Sequence, residues 1–168
     1  MKIRLAGTVN DSIVDGTGIR FTIFVQGCPH NCKGCHNPQT HDFNGGYDAD
    51  TDDILAAAVK NPLLEGLTFS GGEPFMQPLP LCDLAKKAHK AGFNIFCYTG
   101  FLYEQLLKDE DKKRLLEEVD FLIDGPFIEE QKSLLLTFRG SRNQRIIDVK
   151  KSLAAGAAVL ADIEDEEV

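Results

Sequence analysis

The sequence predicts an α/β fold, namely a partial, open βα barrel built on a parallel sheet of about four to six strands. Short β-branched and aromatic runs alternate with amphipathic helical stretches, a pattern typical of right-handed βαβ units and therefore of parallel strands. Only four or five such units are present, which is too few to close an eight-stranded barrel. We therefore expect one domain over residues 1–168, with its core at 11–148 and an acidic tail at 162–168.

The elements are predicted one by one from hydrophobic periodicity and turn residues. Residues 1–18 are expected to be irregular, with a turn at Asp15-Gly16-Thr17-Gly18, and 19–26 form the first strand. Asn, Asp and Gly residues predict a long loop at 36–50. The remaining predictions are a helix from Asp50 or Thr51 to Asn61-Pro62, a strand at 67–69, a helix ending at Gly92, a strand at 93–98, a helix at 103–118 broken near 109–111, strands at 119–123 and 145–148, and a helix at 149–160.

Composition places the chain among ordinary globular proteins, with 43% hydrophobic and 26% charged residues. No apolar run approaches the roughly 20 residues that span a bilayer, so no membrane partner is expected. The start, Met1-Lys2-Ile3-Arg4, lacks the apolar stretch of a signal peptide, and a cytoplasmic location is the expectation. The formal net charge of −8 argues against a nucleic-acid partner.

Basic residues are concentrated between 132 and 151, where six Lys and Arg side chains stand against one acid, Asp148. Arginines can engage carboxylates of another protein bidentately, so we expect partner contact at 132–145. A charge run is more often a solvated face, and that alternative stays open.

Three of the five cysteines, Cys28, Cys32 and Cys35, lie at C-x3-C-x2-C spacing directly after the first predicted strand. Soft thiolates at such spacing can hold three corners of a [4Fe–4S] cluster. Cys82 and Cys97 fall in a predicted helix and a predicted strand, where core thiols are the usual interpretation. Without a fourth cysteine nearby, one iron keeps an open position for a substrate or cofactor.

The same loop allows other interpretations. Three cysteines with His30 or His36 could bind structural zinc as a Cys3His site, which would make the chain a zinc-binding interaction module. A disulfide is the poorer interpretation, because three clustered cysteines leave an odd thiol. Of the other histidines, His41 has no assigned role and His89 is expected at or near the surface of a helix.

Unusual residues follow each predicted strand: the cysteine loop, Gly71-Gly72-Glu73-Pro74, Thr99-Gly100 and Asp124-Gly125-Pro126. The carboxyl ends of parallel strands share one edge of a sheet, so these four loops are expected to converge on one mouth. Gly71 and Gly72 allow the backbone to approach a ligand closely. Glu73 supplies a carboxylate that can accept from a charged amino group, and Asp124 could contact a ribose or a cation.

The cysteine motif combined with Gly71-Gly72-Glu73-Pro74 resembles the radical S-adenosylmethionine (radical SAM) superfamily. The run Asp-Gly-Thr-Gly-Ile-Arg at 15–20 and the triplet Cys35-His36-Asn37 narrow the resemblance to glycyl-radical-enzyme activating enzymes. The stretch 138–144 is similar to activating proteins of anaerobic ribonucleotide reductases. The resemblance covers about residues 11–148.

This resemblance implies a barrel of the radical SAM type and a specific set of cofactor contacts. The implied cluster ligands are Cys28, Cys32 and Cys35, and the open iron binds S-adenosylmethionine. The residues implied to cradle that cofactor are Gly34, Cys35, His36, Gly72 and Glu73. No catalytic side chain is implied beyond the cluster and S-adenosylmethionine.

The implied activity is that of an oxidoreductase that cleaves S-adenosylmethionine reductively, so that a 5′-deoxyadenosyl radical takes hydrogen from a glycine of its partner enzyme. The implied partners are the large subunit of anaerobic ribonucleotide reductase and, as electron donor, reduced flavodoxin or ferredoxin. An activase of pyruvate formate-lyase or of another glycyl radical enzyme is the alternative within this class.

Two positions depart from the usual pattern of the family. Gly34 stands where many members carry an aromatic or bulky apolar residue that shields the cluster, so shielding must come from elsewhere. Thr17 replaces a more usual proline in the Asp-Gly-x-Gly turn. Neither departure removes a ligand.

Overall fold

One mixed sheet of seven strands forms the centre of the structure, a computed structural model in which residues 1–165 are described. In spatial order the strands are β3 (Tyr47–Asp50), β1 (Lys2–Ser12), β2 (Ile19–Val25), β4 (Leu64–Gly71), β5 (Asn94–Tyr98), β6 (Phe121–Asp124) and β7 (Arg145–Asp148). The four central strands β2, β4, β5 and β6 run parallel. The predicted α/β class with a parallel sheet is therefore confirmed.

Helices connect the parallel strands as the sequence predicts. Between the parallel strands lie α1 (Thr51–Val59), α2 (Pro78–Lys90), α3 (Tyr103–Leu106) and α4 (Glu110–Glu117), and α5 (Val149–Ala155) follows β7. The predicted break in the helix at 103–118 is confirmed, because Asp109 accepts a hydrogen bond from the N–H of Lys112 and caps a new helix there. None of the helices within residues 1–165 combines the length and apolar character that crossing a membrane requires.

Two segments that the sequence predicts as irregular contain strands. Residues 1–18 include β1, which pairs antiparallel with β2, and the predicted loop at 36–50 ends in β3, which pairs with Lys2–Leu5. Both strands are stabilised by long-range pairing that leaves little trace in local sequence, apart from the alternate buried residues Ile3 and Leu5. The sheet therefore has seven strands instead of the predicted four to six.

The C-terminal end of the sheet also differs from the prediction. The strand at 145–148 is present as β7, but it runs antiparallel to β6. The predicted helix at 149–160 ends at Ala155, because Gly156 takes a left-handed conformation (φ 75°) and its N–H bonds the carbonyl of Ser152. The chain then returns to the sheet, where Leu160 forms a bridge with Ile147. Of the predicted acidic tail, residues 166–168 lie outside the described residues.

The two faces of the sheet have different coverings. The helices cover one face, and the core there joins strand residues such as Ile23, Phe69 and Ile95 to helix residues such as Leu84 and Leu115. Side chains of a strand alternate between faces, so the intervening residues point the other way. We call this second side of the sheet the open face; its side chains include Thr22, Phe24, Thr68, Ser70 and Tyr98.

The turn at 15–18 folds onto the open face. The Asp15 carboxylate accepts hydrogen bonds from Ser12 Oγ (2.6 Å) and Thr22 Oγ1 (3.1 Å), and its carbonyl accepts from Thr68 Oγ1 (2.8 Å). Arg20 lies fully buried beneath the turn, where burial lowers its pKa to about 10. Its guanidinium stacks over the ring of Phe96, with 4.4 Å from Cζ to the ring centroid.

Residues 126–144, which we call the cover segment, close part of the open face from the other side. The hydroxyl of Tyr98 donates to the carbonyl of Phe138 at 2.6 Å, and the ring of Phe138 packs edge-on against Phe96. The sheet thus does not close into a barrel, and loops cover its open face instead. A cavity remains between the cover segment and the strand ends.

Candidate functional site

A cavity of about 890 Å³ lies at the carboxyl ends of the parallel strands. Its walls include the cysteine loop, Gly71-Gly72, Thr99-Gly100, Gly125 and part of the cover segment. The predicted convergence of four strand-end loops on one mouth is confirmed. In parallel α/β proteins this edge is where ligands bind.

The cysteine loop leaves β2 through Gly27, whose φ of 105° is accessible to glycine without strain. The first residues of the loop are anchored by the chain that follows it: Gly27 N–H donates to Thr40 O (2.7 Å) and Cys28 N–H to His41 O (3.1 Å). Within the loop, Cys35 N–H donates to Cys32 O at 3.2 Å. These contacts fold the eight-residue motif back over the end of the sheet.

All three loop thiols are free, partly buried and exposed to the cavity. Burial raises the pKa of the Cys28 thiol above its ordinary value. The sulfur of Cys35 accepts a hydrogen bond from the N–H of Asn37 (3.5 Å) and lies within hydrogen-bonding distance of His41 Nε2 (3.3 Å). Hydrogen bonds to cysteine sulfur are one of the means by which proteins set the potential of an iron–sulfur cluster.

The donor set fits a [4Fe–4S] cluster. Three thiols from one loop face the same cavity, and thiolate is the ligand that iron–sulfur clusters prefer. Within residues 1–165, no three His, Cys, Asp or Glu side chains form a group placed to hold a single metal ion. Cubane ligands do not converge on one point, because each thiolate binds a different iron.

Gly71 and Gly72 pack against the base of the cysteine loop. Gly72 N–H donates to Val25 O (2.8 Å) and Glu73 N–H donates to Gly27 O (2.8 Å). A Cβ at Gly72 would lie 2.4 Å from the carbonyl oxygen of Gly27, so only glycine allows this approach. The close backbone approach that the sequence predicts therefore serves the protein's own loop, while Gly72 also lines the cavity.

The carboxylate of Glu73 is buried and fully occupied by protein groups. It accepts hydrogen bonds from Thr99 Oγ1 (2.9 Å), Gly100 N–H (2.8 Å) and Phe75 N–H (3.0 Å). His30 Nε2 lies 2.6 Å from the same carboxylate. The side chain consequently joins the cysteine loop to the ends of two strands.

The five residues expected to cradle a cofactor fall into two groups. Cys35, His36 and Gly72 line the cavity, whereas Gly34 is exposed beside it and Glu73 is buried beneath it. Gly34 has a φ of 76°, and the side chain of Glu129 lies 3.0 Å from the position that a Cβ would take. An aromatic residue at position 34 would therefore be strained in its backbone and would displace the exposed side chain of Glu129.

Aromatic shielding comes instead from the cover segment. The ring of Phe127 lines the cavity and packs against His36, with 5.1 Å between ring centroids. Phe127 therefore supplies an apolar ring beside the cysteine loop, although position 34 is a glycine.

Two residues with an expected role at the site are engaged elsewhere. Asp124 is fully buried, and its carboxylate accepts from Tyr103 N–H (2.8 Å) and from Arg145 Nε (3.0 Å), so it is not free for a ribose or a cation. Arg139, in the basic segment, points back into the protein and pairs with Asp165. Its Nη1 also donates to the carbonyl of Gln144 at 2.8 Å.

The prediction that Cys82 and Cys97 are core thiols is confirmed, since both are buried in the core on the helical side of the sheet. His89 is partly buried on α2, where it contacts Asp120 (2.9 Å), in agreement with its expected position. The sequence left His41 without a role, although it follows Cys35 by only six residues and the short helix at Pro38–Thr40 turns the chain back toward the sulfur.

Comparisons with known proteins agree with this site. The chain matches a family model described as a 4Fe-4S single cluster domain over residues 14–147. It is 37% identical over 143 residues to an anaerobic ribonucleoside-triphosphate reductase-activating protein of Vibrio cholerae, covering 80% of this chain and 90% of that protein. A protein of the same name from Haemophilus influenzae is also 37% identical, with the same two coverages of 80% and 90%.

More distant similarities were also found. A pyruvate formate-lyase-activating enzyme of Clostridium pasteurianum is 36% identical over 108 residues, which cover 59% of this chain and 45% of that enzyme. The crystal structure of QueE from Escherichia coli has a TM-score of 0.49 at 22% identity, covering 60% of this chain and 53% of that one.

The family resemblance inferred from the motifs is thereby confirmed, and so is the expectation of an activating enzyme, because the named relatives are activating proteins and enzymes. The match to a single-cluster domain spans the cysteine loop and every strand-end loop of the cavity. The chain belongs to the family of anaerobic ribonucleoside-triphosphate reductase-activating proteins.

Proposed function

We propose that the chain activates an anaerobic ribonucleotide reductase by creating a glycyl radical on it. Cys28, Cys32 and Cys35 would hold a [4Fe–4S] cluster, which when reduced would supply the one electron for cleavage of the S–C5′ bond of S-adenosylmethionine into methionine and a 5′-deoxyadenosyl radical. That radical would be the species that takes a hydrogen atom from a glycine of the reductase. The protein contributes position, orientation and exclusion of water to this chemistry.

The observation that carries the proposal is the number of thiols at the cavity. Cys28, Cys32 and Cys35 face it, whereas Cys82 and Cys97 are buried on the helical side of the sheet. A four-iron cluster held by three thiolates has one iron without a protein sulfur. Such an iron would be open to the amino and carboxylate groups of S-adenosylmethionine.

We propose that the backbone at Gly34, Cys35, His36, Gly72 and Glu73 holds the methionyl part of the cofactor. The N–H groups of Gly72 and Glu73 already donate to Val25 and Gly27, and the carbonyl of Glu73 accepts from Met76 N–H at 3.0 Å. The carbonyl oxygen of Gly72 is therefore the backbone group that we assign to the ammonium group. Carbonyl oxygens suit an ammonium group. The carboxylate of Glu73 is occupied by four protein donors and contributes through the fold of the loop instead.

Water exclusion is assigned to the cover segment and the rings beside it. Phe127, Tyr98 and Leu136 line the cavity, and the hydroxyl of Tyr98 is tied to the backbone of Phe138. A radical formed in such a cavity meets few competing hydrogen donors from solvent. We place the reaction in the cytoplasm, where thiols stay reduced.

The proposed partners are the large subunit of the reductase and a reduced flavodoxin or ferredoxin as electron donor. Activation of pyruvate formate-lyase is a second candidate, favoured by the 36% identity to the Clostridium pasteurianum enzyme. That similarity covers 59% of this chain, against 80% for the reductase-activating relatives.

Anaerobic reconstitution tests the cluster and the cofactor chemistry together. We expect a brown protein with about four irons per chain, and release of methionine and 5′-deoxyadenosine in equal amounts on reduction with S-adenosylmethionine. Cys28→Ser, Cys32→Ser and Cys35→Ser should each abolish this release. Cys82→Ser is the matched control and should retain the cluster. A colourless protein holding one zinc would instead favour the zinc-binding interaction module.

A further inference from the structure

We propose that His30 and Glu73 form a latch that positions the cysteine loop, so that His30 is a positioning residue for the cluster and not one of its ligands. The proposal rests on the proposed function only in taking the loop as the cluster-binding element. The latch itself is a contact between residues 43 positions apart in sequence.

The imidazole of His30 is held on three sides. Its Nε2 lies 2.6 Å from Glu73 Oε1, and its ring packs edge-on against Phe101 with 4.6 Å between centroids. Against the third side lies Gly100, where an added Cβ would fall 2.5 Å from the imidazole Cδ2. A ring enclosed in this way has one orientation, in which Nε2 faces the carboxylate of Glu73.

The other half of the latch is fixed independently of His30. Glu73 is 1% exposed, and its oxygens accept from Thr99 and Gly100 at the end of β5 and from Phe75 in the turn after β4. A buried carboxylate with several donors is rigid, because moving it would leave charge and donors unpaired. His30 therefore binds to a fixed point of the sheet.

The position of His30 in the motif explains how the latch restrains the cysteines. It lies between Cys28 and Cys32, so it fixes the part of the loop that separates two of the three thiols. Cys35 N–H bonds Cys32 O within the loop, whereas His30 reaches out of the loop to the sheet. Releasing His30 should leave the thiols present but increase the range of positions that Cys28 and Cys32 occupy.

Hydrogen exchange of the metal-free protein tests the latch without the cluster. In His30→Leu, which keeps the side-chain volume but removes the donor, amides of residues 28–35 should exchange roughly tenfold faster, since a hydrogen bond to a charged group is lost. His30→Gln restores a donor and should return exchange toward wild type. His89→Leu breaks another histidine–carboxylate pair, on α2, and should leave the loop unchanged. Equal loop exchange in His30→Leu and wild type would overturn the proposal.

A second variant moves the ring without changing His30. Gly100→Ala places a Cβ against the imidazole, at a position without left-handed backbone, and should loosen the loop as His30→Leu does. If both variants keep the wild-type exchange of the loop, the latch does not exist. Thermal unfolding confirms that each variant is folded.

The loaded protein separates a positioning role from a ligand role. Iron release to a chelator should be several-fold faster in His30→Leu and near wild type in His30→Gln, with an unchanged electron paramagnetic resonance signal for the clusters that remain. A new signal shape in His30→Gln, with the loop still protected, would show that His30 is a ligand and overturn the proposal. Absence of any cluster in the wild-type protein would contradict the proposed function, while the exchange experiment would still decide the latch.

Discussion

At the scale of single residues, Gly72 sets the distance between the cysteine loop and the sheet. Its missing side chain allows Glu73 N–H to reach Gly27 O, and the side chain of the same Glu73 then holds His30. One tight turn thus supplies both a backbone contact and a side-chain contact to the loop. The Gly-Gly-Glu-Pro motif supports the cluster site from below, in addition to the cofactor contacts proposed for it.

Gly72→Ala should disrupt this support. The added Cβ would meet Gly27 O at 2.4 Å and Thr40 O at 3.0 Å, and neither backbone atom can move alone. We expect the free energy of unfolding to fall by about 1–3 kcal/mol, the usual cost of overpacking. Iron content after reconstitution should fall with it.

The matched control is Gly7→Ala, where an added Cβ has nothing within 4 Å. Urea denaturation and iron analysis of the two variants provide the measurement. If Gly72→Ala bound iron as well as Gly7→Ala, the motif would not be supporting the loop.

The cysteine spacing and the Gly-Gly-Glu-Pro turn can be recognised from the sequence because each is a local pattern. The pairing of His30 with Glu73 cannot, since it depends on the register of β2 and β4, in which Val25 lies opposite Gly71. Because of that register, β2 and β4 end at the same level, and the cysteine loop after β2 lies over the Gly-Gly-Glu-Pro turn after β4. A short-range pattern carries no information about such register.

At the scale of elements, Asp120, the residue just before β6, contacts α2, β5 and α5. Its carboxylate contacts His89 of α2 (2.9 Å), Ile95 N–H of β5 (2.8 Å) and Lys150 of α5 (3.1 Å), with Glu118 on the far side of the same imidazole. Burial alone would raise the pKa of Asp120, but these hydrogen bonds outweigh burial and lower the pKa below its ordinary value. The residue therefore stabilises the packing of helices on the sheet.

Asp120→Asn should lower the free energy of unfolding at neutral pH by about 1–3 kcal/mol, because charge-assisted hydrogen bonds are lost. A carboxylate with a lowered folded pKa stabilises the protein above its unfolded pKa of about 3.9, and this contribution is lost as pH falls through the folded value. The difference between wild type and variant should therefore shrink below about pH 4.

Urea denaturation across pH measures that difference, with the exposed Asp11→Asn as the control. A stability gap that stayed constant down to the acid limit would mean that the charge of Asp120 contributes nothing.

In the cover segment, the sequence reveals the charged residues but not their partners within the chain. Its basic residues suggested a partner surface, yet Arg139 is tied to Asp165, and Thr137 N–H donates to the same carboxylate at 2.8 Å. A charge pattern reveals which residues are ionic but not which of them are satisfied within the chain. Partner contact at 132–145 remains a prediction. The residues of this segment that we now expect to contact the partner are Leu134 and Leu135, which are 88% and 50% exposed.

Replacing Leu134 and Leu135 together by Asp should weaken activation of the reductase several-fold at limiting concentration, because exposed apolar residues beside a site commonly bind a partner. The cluster content should stay unchanged. Leu63→Asp is the control, since Leu63 is 69% exposed and precedes β4 at the opposite end of that strand from the cavity. Unaltered activation by the double variant would exclude this part of the segment from the interface.

At the scale of the whole molecule, the parallel centre of the sheet was predictable and its antiparallel edges were not. The βα units have strong local signals, whereas β1 and β3 depend on long-range pairing and were not predicted. For β7 the strand at 145–148 was predicted but its antiparallel direction was not. The edges widen the sheet to seven strands, and the turn at 15–18 together with the cover segment closes over its open face. The location of the site follows from the parallel centre alone, because the carboxyl ends of those four strands bear the loops that converge.

The central claim is that this cavity forms a radical and transfers it to an anaerobic ribonucleotide reductase. The most direct measurement is electron paramagnetic resonance of the reconstituted protein mixed anaerobically with reductant, S-adenosylmethionine and the reductase. A glycyl radical doublet should appear with the wild-type chain and be absent with Cys28→Ser. No doublet from an intact cluster, or a doublet only when pyruvate formate-lyase replaces the reductase, would contradict the claim.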